Sequence, residues 1–325
     1  MNTTGPDPVD LVTAEEVAAS RHRLRGHVFE TPIIPRGPGG IWLKLENLHR
    51  AGSFKTRGAF NSIAALSDDE RRGGVVAHSS GNHAIAVAEA ARDLGVRAVI
   101  VMPNDAPAIK RARTTAAGAE VIEVGPASSE RAERAAQLAA EHGSTIIEPY
   151  DSRTVIAATA TIAIEMLESV EALEEIYVPI SGGGLAAGVA LGAYLINPAV
   201  RVIGVEPAVA ADALASWQTG SVVTLPAEQM SSTIADGLRV QRVGRLNWPH
   251  LTAYLHDIVT VTEDEIRATM RDLALDHHLV AEPSGAVPVA AARRADPASA
   301  PRRAAVLCGG NVDPAMFAEI ITAPR

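Results

Sequence analysis

Cysteine occurs once in the 325 residues, at Cys308, which excludes an internal disulfide framework and any four-cysteine zinc site and fits a reducing compartment. Aromatic residues are also scarce, at 3%, and the formal charge is −9. With neither a basic surface for phosphates nor rings for base stacking, nucleic acid is not an expected partner. The opening sequence MNTTGPDPVDLVTAEEV lacks a basic n-region and an apolar h-region. The longest uncharged apolar run, residues 155–164, falls far short of the roughly 20 residues a membrane-spanning helix needs. A cytoplasmic protein without membrane contact is the expectation.

What remains is an ordinary globular composition, 47% apolar and 21% charged, in a chain long enough for about two domains. Residues 74–148 alternate β-branched runs at 75–76, 98–102, 121–124 and 145–147 with helical stretches. Ala84, Val87, Ala88, Ala91 and Leu94 recur at helical spacing before Gly95; a second helix over 108–117 stops at Gly118, and a third over 128–142 stops at Gly143. This predicts an open, parallel α/β domain over 74–150. A second parallel sheet is predicted from strands at 41–45, 176–180, 201–205 and 304–307. Helices at 154–167, from Leu185 and from Glu263, the last capped by Thr262, accompany it. Residues 291–303, rich in Ala, Arg and Pro, read as a surface connection.

Four segments carry candidate chemistry. Ser181-Gly182-Gly183-Gly184-Leu185 lies between a strand and a helix, where bare N–H groups and the helix dipole can hold a phosphate, although such a run also serves as a plain tight turn. It matches neither the nucleoside-triphosphate loop nor the dinucleotide fingerprint. In Ser53-Phe54-Lys55-Thr56-Arg57-Gly58 a lysine withdrawn from water would become a carbonyl-trapping amine; on the surface it would be merely solvated. Ser79-Ser80-Gly81-Asn82-His83 can grip a small carboxylate or simply cap a helix. Cys308-Gly309-Gly310-Asn311 again follows a strand. Ligands of open parallel sheets collect at such strand ends.

Together these segments resemble the fold-type II pyridoxal-phosphate enzymes, specifically the threonine/serine dehydratase and serine racemase group. The resemblance spans nearly the whole chain through LENLHRAGSFKTRGAFN, HSSGNHAIA, VMPNDAPAIK, VPISGGGLAAG, GVEP, TIADGL, AEPSGA and LCGGNVD, in the family's order. It implies two α/β domains with pyridoxal 5′-phosphate between them, a large cofactor-binding one over 1–73 and 151–325 and a small substrate-gripping one over 74–150. By the same resemblance Lys55 binds the cofactor as an imine, Phe54 packs beside its ring, and Asn82 bonds the ring 3-hydroxyl. Gly182, Gly183, Gly184 and Leu185 bind the phosphate, with Ser181 standing where the family usually has glycine. Cys308 replaces a common serine at the pyridine nitrogen, again a neutral partner, which favours β-elimination over paths that need a strongly electron-withdrawing ring.

The resemblance thus implies a lyase of amino-acid metabolism. Ser80, Gly81, Asn82 and His83 would hold the substrate carboxylate, Lys55 would remove the α-proton, and water would leave from L-serine or L-threonine to give a 2-oxo acid and ammonium. Serine racemisation is the first alternative, with Ser80 as the acid on the opposite face. Ile85 and Ala117 depart from the residues of nucleotide-activated racemases, which argues against ATP activation. Dehydration of threo-3-hydroxyaspartate is the second, because Arg131 falls where an arginine meets the substrate side chain in racemases; otherwise Arg131 belongs to the solvated face of residues 130–134. A non-catalytic, cofactor-binding regulatory protein is a third, opposed by the intact Lys55 and Ser80. No isoleucine-sensing C-terminal domain is expected, and a homodimer is. Finally, Glu206 and Asp212 with the Ala210 carbonyl would hold Mg²⁺ or Ca²⁺, which accept all-oxygen ligands; the alternative is that both acids simply start a helix.

Overall fold

Two separate sets of β-branched runs build two separate sheets in the computed structural model, which describes residues 10–35, 37, 40–79, 81–106, 108–125, 128–294 and 302–323. The strands are β1 (Ile33–Ile34), β2 (Trp42–Lys44), β3 (Val75–His78), β4 (Ala98–Pro103), β5 (Glu120–Val124), β6 (Thr145–Ile146), β7 (Glu175–Pro179), β8 (Arg201–Pro207), β9 (Asp257–Val261) and β10 (Arg303–Val306). The larger sheet has the order β1-β2-β10-β7-β8-β9 and the smaller β5-β4-β3-β6. Only β1 and β2 pair antiparallel. This is the parallel α/β architecture expected from the sequence.

The helices are α1 (Ala14–Leu24), α2 (Lys55–Ala64), α3 (Asp68–Gly73), α4 (Asn82–Asp93), α5 (Ala108–Ala116), α6 (Ser128–His142), α7 (Arg153–Ser169), α8 (Gly184–Ile196), α9 (Asp212–Thr219), α10 (Ala227–Ser231), α11 (Asn247–Tyr254), α12 (Glu263–Leu275), α13 (Pro283–Ala292) and α14 (Pro314–Thr322). Thr262 caps α12 as anticipated, in a reciprocal box with Glu265. Among the described residues no helix is long and apolar enough to cross a membrane.

Period-two alternation decides what each strand buries. Val75 and Ala77 of β3 face α4 and, from α2, Ala59, Phe60 and Ile63. Val76, with Val99 and Val101 of β4, faces Ala135 and Leu138 of α6. Helix α2 therefore closes the core of the smaller sheet although it precedes it in the chain. The sequence pattern also led to a surface connection over 291–303, and here the structure differs. Ala291 and Ala292 are buried in α13, Arg303 is buried in β10, and residues 295–301 lie outside the described set. Helix α13 is buried all round against the larger sheet and so shows no amphipathic period to read.

Helices α7 and α8 lie so close that a Cβ on Gly188 would sit 2.0 Å from Thr159 Oγ1 and 2.4 Å from the Ile156 carbonyl. Backbone cannot yield there as a side chain would. Gly188→Ala is expected to cost about 1–3 kcal/mol through overpacking, read as a lowered urea midpoint; an unchanged midpoint would mean that the helices move apart freely.

His83, in the first turn of α4, is buried and bonds the Ile147 carbonyl through Nε2 at 2.9 Å. Burial, helped by the Lys55 charge, pushes it down to about 3. The unfolded chain binds a proton near pH 6.5 that the folded chain refuses, so this stability is full above that pH and is lost as pH falls toward 3. Stability should drop by about 1.4 kcal/mol per pH unit on that limb. His83→Gln, which keeps a donor, should flatten it in denaturation curves taken from pH 7 to pH 4; an equally steep curve would place the acid lability elsewhere.

Candidate active site

The segments that follow β3, β6, β7 and β10 lie against one another, Gly309 beside Asn82 and Gly182 beside Tyr150, and line the cleft between the two sheets to which the start of α2 is pinned. Ser53 bridges Gly309, and Phe54 N–H donates to the Cys308 carbonyl at 2.9 Å. Lys55, the first residue of α2, consequently stands over the end of β10. Its Nζ donates to the Pro149 carbonyl and lies 5.0 Å from the centre of the Phe54 ring. Burial lowers Lys55 to about 8, opposed by Cys308, which leaves a useful fraction of neutral amine near neutral pH. Cys308 is itself buried, donates to the Ser284 carbonyl at 3.5 Å, and is pushed well up by burial and by Glu282. It is a neutral thiol.

At the end of β7 the glycine loop turns into α8. Gly183 sits at φ +96° in the left-handed region and precedes α8 without any side-chain cap, so the first N–H groups of that helix are directed at the loop. A Cβ on Gly182 would come within 2.3 Å of the Tyr150 ring. Ser181 Oγ is buried and has no hydrogen-bond partner among the described residues. These are the donors a phosphate requires, and the loop fits one. Its shape is fixed from behind: Asn247 Nδ2 donates to the Gly182 carbonyl at 2.6 Å, Gly244 N–H donates to it at 2.9 Å, and Asp151 accepts from the N–H groups of Leu246 and Arg245 at 2.8 and 3.0 Å. Sequence reasoning missed Tyr150, Asp151 and Asn247, and no local motif marks them.

At the end of β3, Gly81 N–H donates to Ser79 Oγ at 3.1 Å, and among the described residues no side chain caps α4. Ser80 lies outside the described residues. Because the His83 ring is committed to Ile147, His83 has only its backbone N–H to offer a carboxylate. Asn82 donates through Nδ2 to Glu282 Oε1 at 2.7 Å and accepts at Oδ1 from Asn311 Nδ2 at 2.8 Å. Lys110 Nζ lies 3.6 Å from where a Gly81 Cβ would stand and pairs with Asp236 at 2.7 Å. Arg131, on α6, is half-buried, and its charge helps burial lower His78, the last residue of β3. Burial lowers Arg131 too, opposed by Asp105. Its charge is thus felt at the strand end, whereas Arg134 donates to Gln137 and Glu141 of its own helix.

The two carboxylates expected to hold a cation lie together. Glu206 is buried and accepts from the N–H groups of Ala213 and Leu214 at 3.0 and 2.8 Å, capping α9. Asp212 is 1% exposed, and among the described residues neither of its oxygens has a hydrogen-bond partner. Burial and the Asp212 charge push Glu206 up, and burial pushes Asp212 up. Among the described residues no group of three His, Cys, Asp or Glu side chains converges as for a metal, so backbone oxygens would have to complete the set.

The chain matches the pyridoxal-phosphate-dependent enzyme family model over residues 24–309. It is 38% identical to the L-threo-3-hydroxyaspartate ammonia-lyase of Saccharomyces cerevisiae, with 95% of this chain and 96% of that one covered. It is 37% identical to the catabolic L-threonine dehydratase of Escherichia coli K12, over 95% and 96%. Maize serine racemase superposes with a TM-score of 0.89 at 34% identity, covering 96% of this chain and 97% of that one. With a half-buried amine, a phosphate-fitting glycine loop and a neutral thiol converging in one cleft, and a family match over most of its length, the chain belongs to the pyridoxal-phosphate-dependent enzymes of fold type II.

Proposed function

We propose that the protein is an ammonia-lyase that expels water from a β-hydroxy amino acid, L-serine or L-threonine, the enamine so formed taking up water again as it hydrolyses to a 2-oxo acid and ammonium. The observation that carries this reading is Lys55, lowered to about 8 by burial and facing the buried, neutral thiol of Cys308. Pyridoxal phosphate, when bound, supplies an aldehyde that condenses with amines and a ring that draws electrons from the α-carbon. Gly182, Gly183, Gly184 and Leu185 would hold its phosphate, Phe54 would flank its ring, and Asn82 would offer Nδ2–H to its ring oxygen. Lys55, as a neutral amine, takes the proton from the substrate α-carbon. The N–H groups of Gly81, Asn82 and His83, with Ser80, orient the substrate carboxylate. Cys308 places no anion at the ring nitrogen, which suits elimination. In this reading residues 74–150 form the small substrate-gripping unit and 1–73 with 151–325 the cofactor-binding one, α2 packing against both. A cytoplasmic homodimer is part of it.

A second reading is favoured by one observation: the Arg131 charge lies near enough to the end of β3 to help burial lower His78. That suits a substrate with a second carboxylate, as in threo-3-hydroxyaspartate, which the name of the yeast relative specifies for that protein. Ammonium release should be measured with L-serine, L-threonine and L-threo-3-hydroxyaspartate, with the optical purity of recovered serine as the check for racemisation. Borohydride reduction should fix the cofactor to Lys55, and Lys55→Ala should lose turnover; full turnover without Lys55 would end the proposal. Arg131→Met should lower kcat/KM for hydroxyaspartate by roughly 10- to 100-fold, the worth of a charge-assisted bond, and change serine turnover little. Equal effects on all three substrates would remove Arg131 from the substrate site.

We infer further that Glu206, Asp212 and the Ala210 carbonyl hold Mg²⁺ or Ca²⁺. Two buried carboxylates, one with both oxygens unpartnered, fit a hard cation better than each other. Chelation should lower the melting temperature by several degrees and Mg²⁺ or Ca²⁺ should restore it; Asp212→Ala should abolish that response and leave cofactor absorbance intact. A melting temperature indifferent to chelator would remove the site.

A further inference from the structure

The side chain of Asn82 is clamped from both ends by residues of the other sheet's framework. Glu282, the residue before α13, receives Nδ2–H at 2.7 Å, and Asn311, in the loop after β10, donates to Oδ1 at 2.8 Å. A flip of the amide would set N–H against N–H at Asn311 and oxygen against oxygen at Glu282, so the orientation is fixed. Both clamping groups are themselves held. Asn311 Nδ2 also donates to the Ala51 carbonyl at 2.8 Å, and its Oδ1 accepts from Arg113 Nη1. Glu282 is 2% exposed and wedged against Gly309, where a Cβ would meet Oε1 at 2.1 Å. Burying a carboxylate in this way is costly unless hydrogen bonds compensate it. Among the described residues its Oε2 has no hydrogen-bond partner, and Asn82 is the side-chain partner of its Oε1.

We propose that Glu282 and Asn311 are positioning residues that force Asn82 to present an N–H, and not a carbonyl, to the cleft. They select a hydrogen-bond-accepting oxygen as the group that Asn82 binds. The inference rests on the reading that Asn82 donates to the cofactor's ring oxygen, and goes beyond it by naming what makes Asn82 a donor. The same clamp joins α4 of the smaller sheet to the loops of the larger one, next to the Lys110 and Asp236 pair, which makes the same crossing.

The test is a double-mutant cycle on the dissociation constant of pyridoxal phosphate for the apo protein, read from cofactor absorbance and tryptophan fluorescence, with thermal melting of each apo variant as a control for folding. Asn82→Ala and Glu282→Leu should each weaken binding about tenfold, the worth of a buried hydrogen bond, and the double variant should be no weaker than Asn82→Ala alone. Glu282→Gln, which keeps an accepting oxygen, should bind within about twofold of wild type. Asn311→Ala makes the same test from the other end of the amide, should Glu282→Leu fail to fold. Additive losses in the cycle, or a Glu282→Gln variant as weak as Glu282→Leu, would overturn the clamp and leave the reading of Asn82 standing. An Asn82→Ala variant with wild-type affinity would overturn that reading, and the clamp with it; no binding by the wild-type chain would overturn the proposed function itself.

Discussion

Arg57 has 1% of its surface exposed and sits two residues beyond Lys55, on the opposite side of α2. An unpaired guanidinium there would be prohibitive, and none of it is unpaired. Nε and Nη2 each donate to Glu46 at 2.8 Å, Nη1 and Nη2 donate to Glu165 at 2.5 and 2.7 Å, and Nη1 also reaches Thr161 at 3.1 Å. Lys44, from β2, completes the charge balance by donating to Glu165 and to the Thr31 carbonyl. Burial alone would push the Glu46 carboxyl up, but Arg57 and His49 hold it well below its usual range. Helix α2 has no side-chain cap at its first residue. The cluster therefore anchors the first turn of that helix, while Ser53 and Phe54 tie its start to the end of β10, and together they set the place of the Lys55 amine between the two sheets.

Burial treats the residues around α2 in two opposite ways. In the cluster the charges are retained because each meets a partner at hydrogen-bond distance. On the cleft side burial removes charge: Lys55 and His83 are lowered and Cys308 is raised. A lysine that is to act as a base must reach its neutral form near neutral pH, and desolvation achieves this without a neighbouring cation. One short helix thus carries a permanently charged anchor on one side and a readily neutralised amine on the other.

Legibility from sequence followed the distance over which each residue acts. The glycine loop and the strands at 75–76, 98–102 and 176–180 were readable because turn geometry and β-branching act locally, and Thr262 because its box closes within three residues. Helix α2 was not, since Gly58 interrupts its pattern and its burial comes from two different bodies, and α13 was mistaken in part for a surface connection because it is apolar on every side. The role of the His83 ring was unreadable for another reason: its partner, Ile147, is 64 residues away. The same holds for Asn247 behind the glycine loop, for Asp151, and for the Glu282 partner of Asn82, 200 residues distant. Residue types alone left Arg131 undecided between solvent and substrate; its effect on His78 depends on how α6 crosses β3.

Distance along the chain also explains why the polar residues of the cleft act as pairs across the two sheets. A parallel sheet brings its strand ends, and so its ligand contacts, to one edge, but a single edge offers a ligand only one wall. Here the wall made by α4 and its loop contributes backbone N–H groups and the Asn82 amide, and the wall made by β10 and the start of α2 contributes Lys55 and Cys308. Neither wall orients its own side chains fully. Asn82 is set by Glu282 and Asn311, while the Lys55 amine rests on the Pro149 carbonyl just after β6. Each wall is completed by hydrogen bonds from the other, so the chemistry of the cleft depends on the two sheets being held in register.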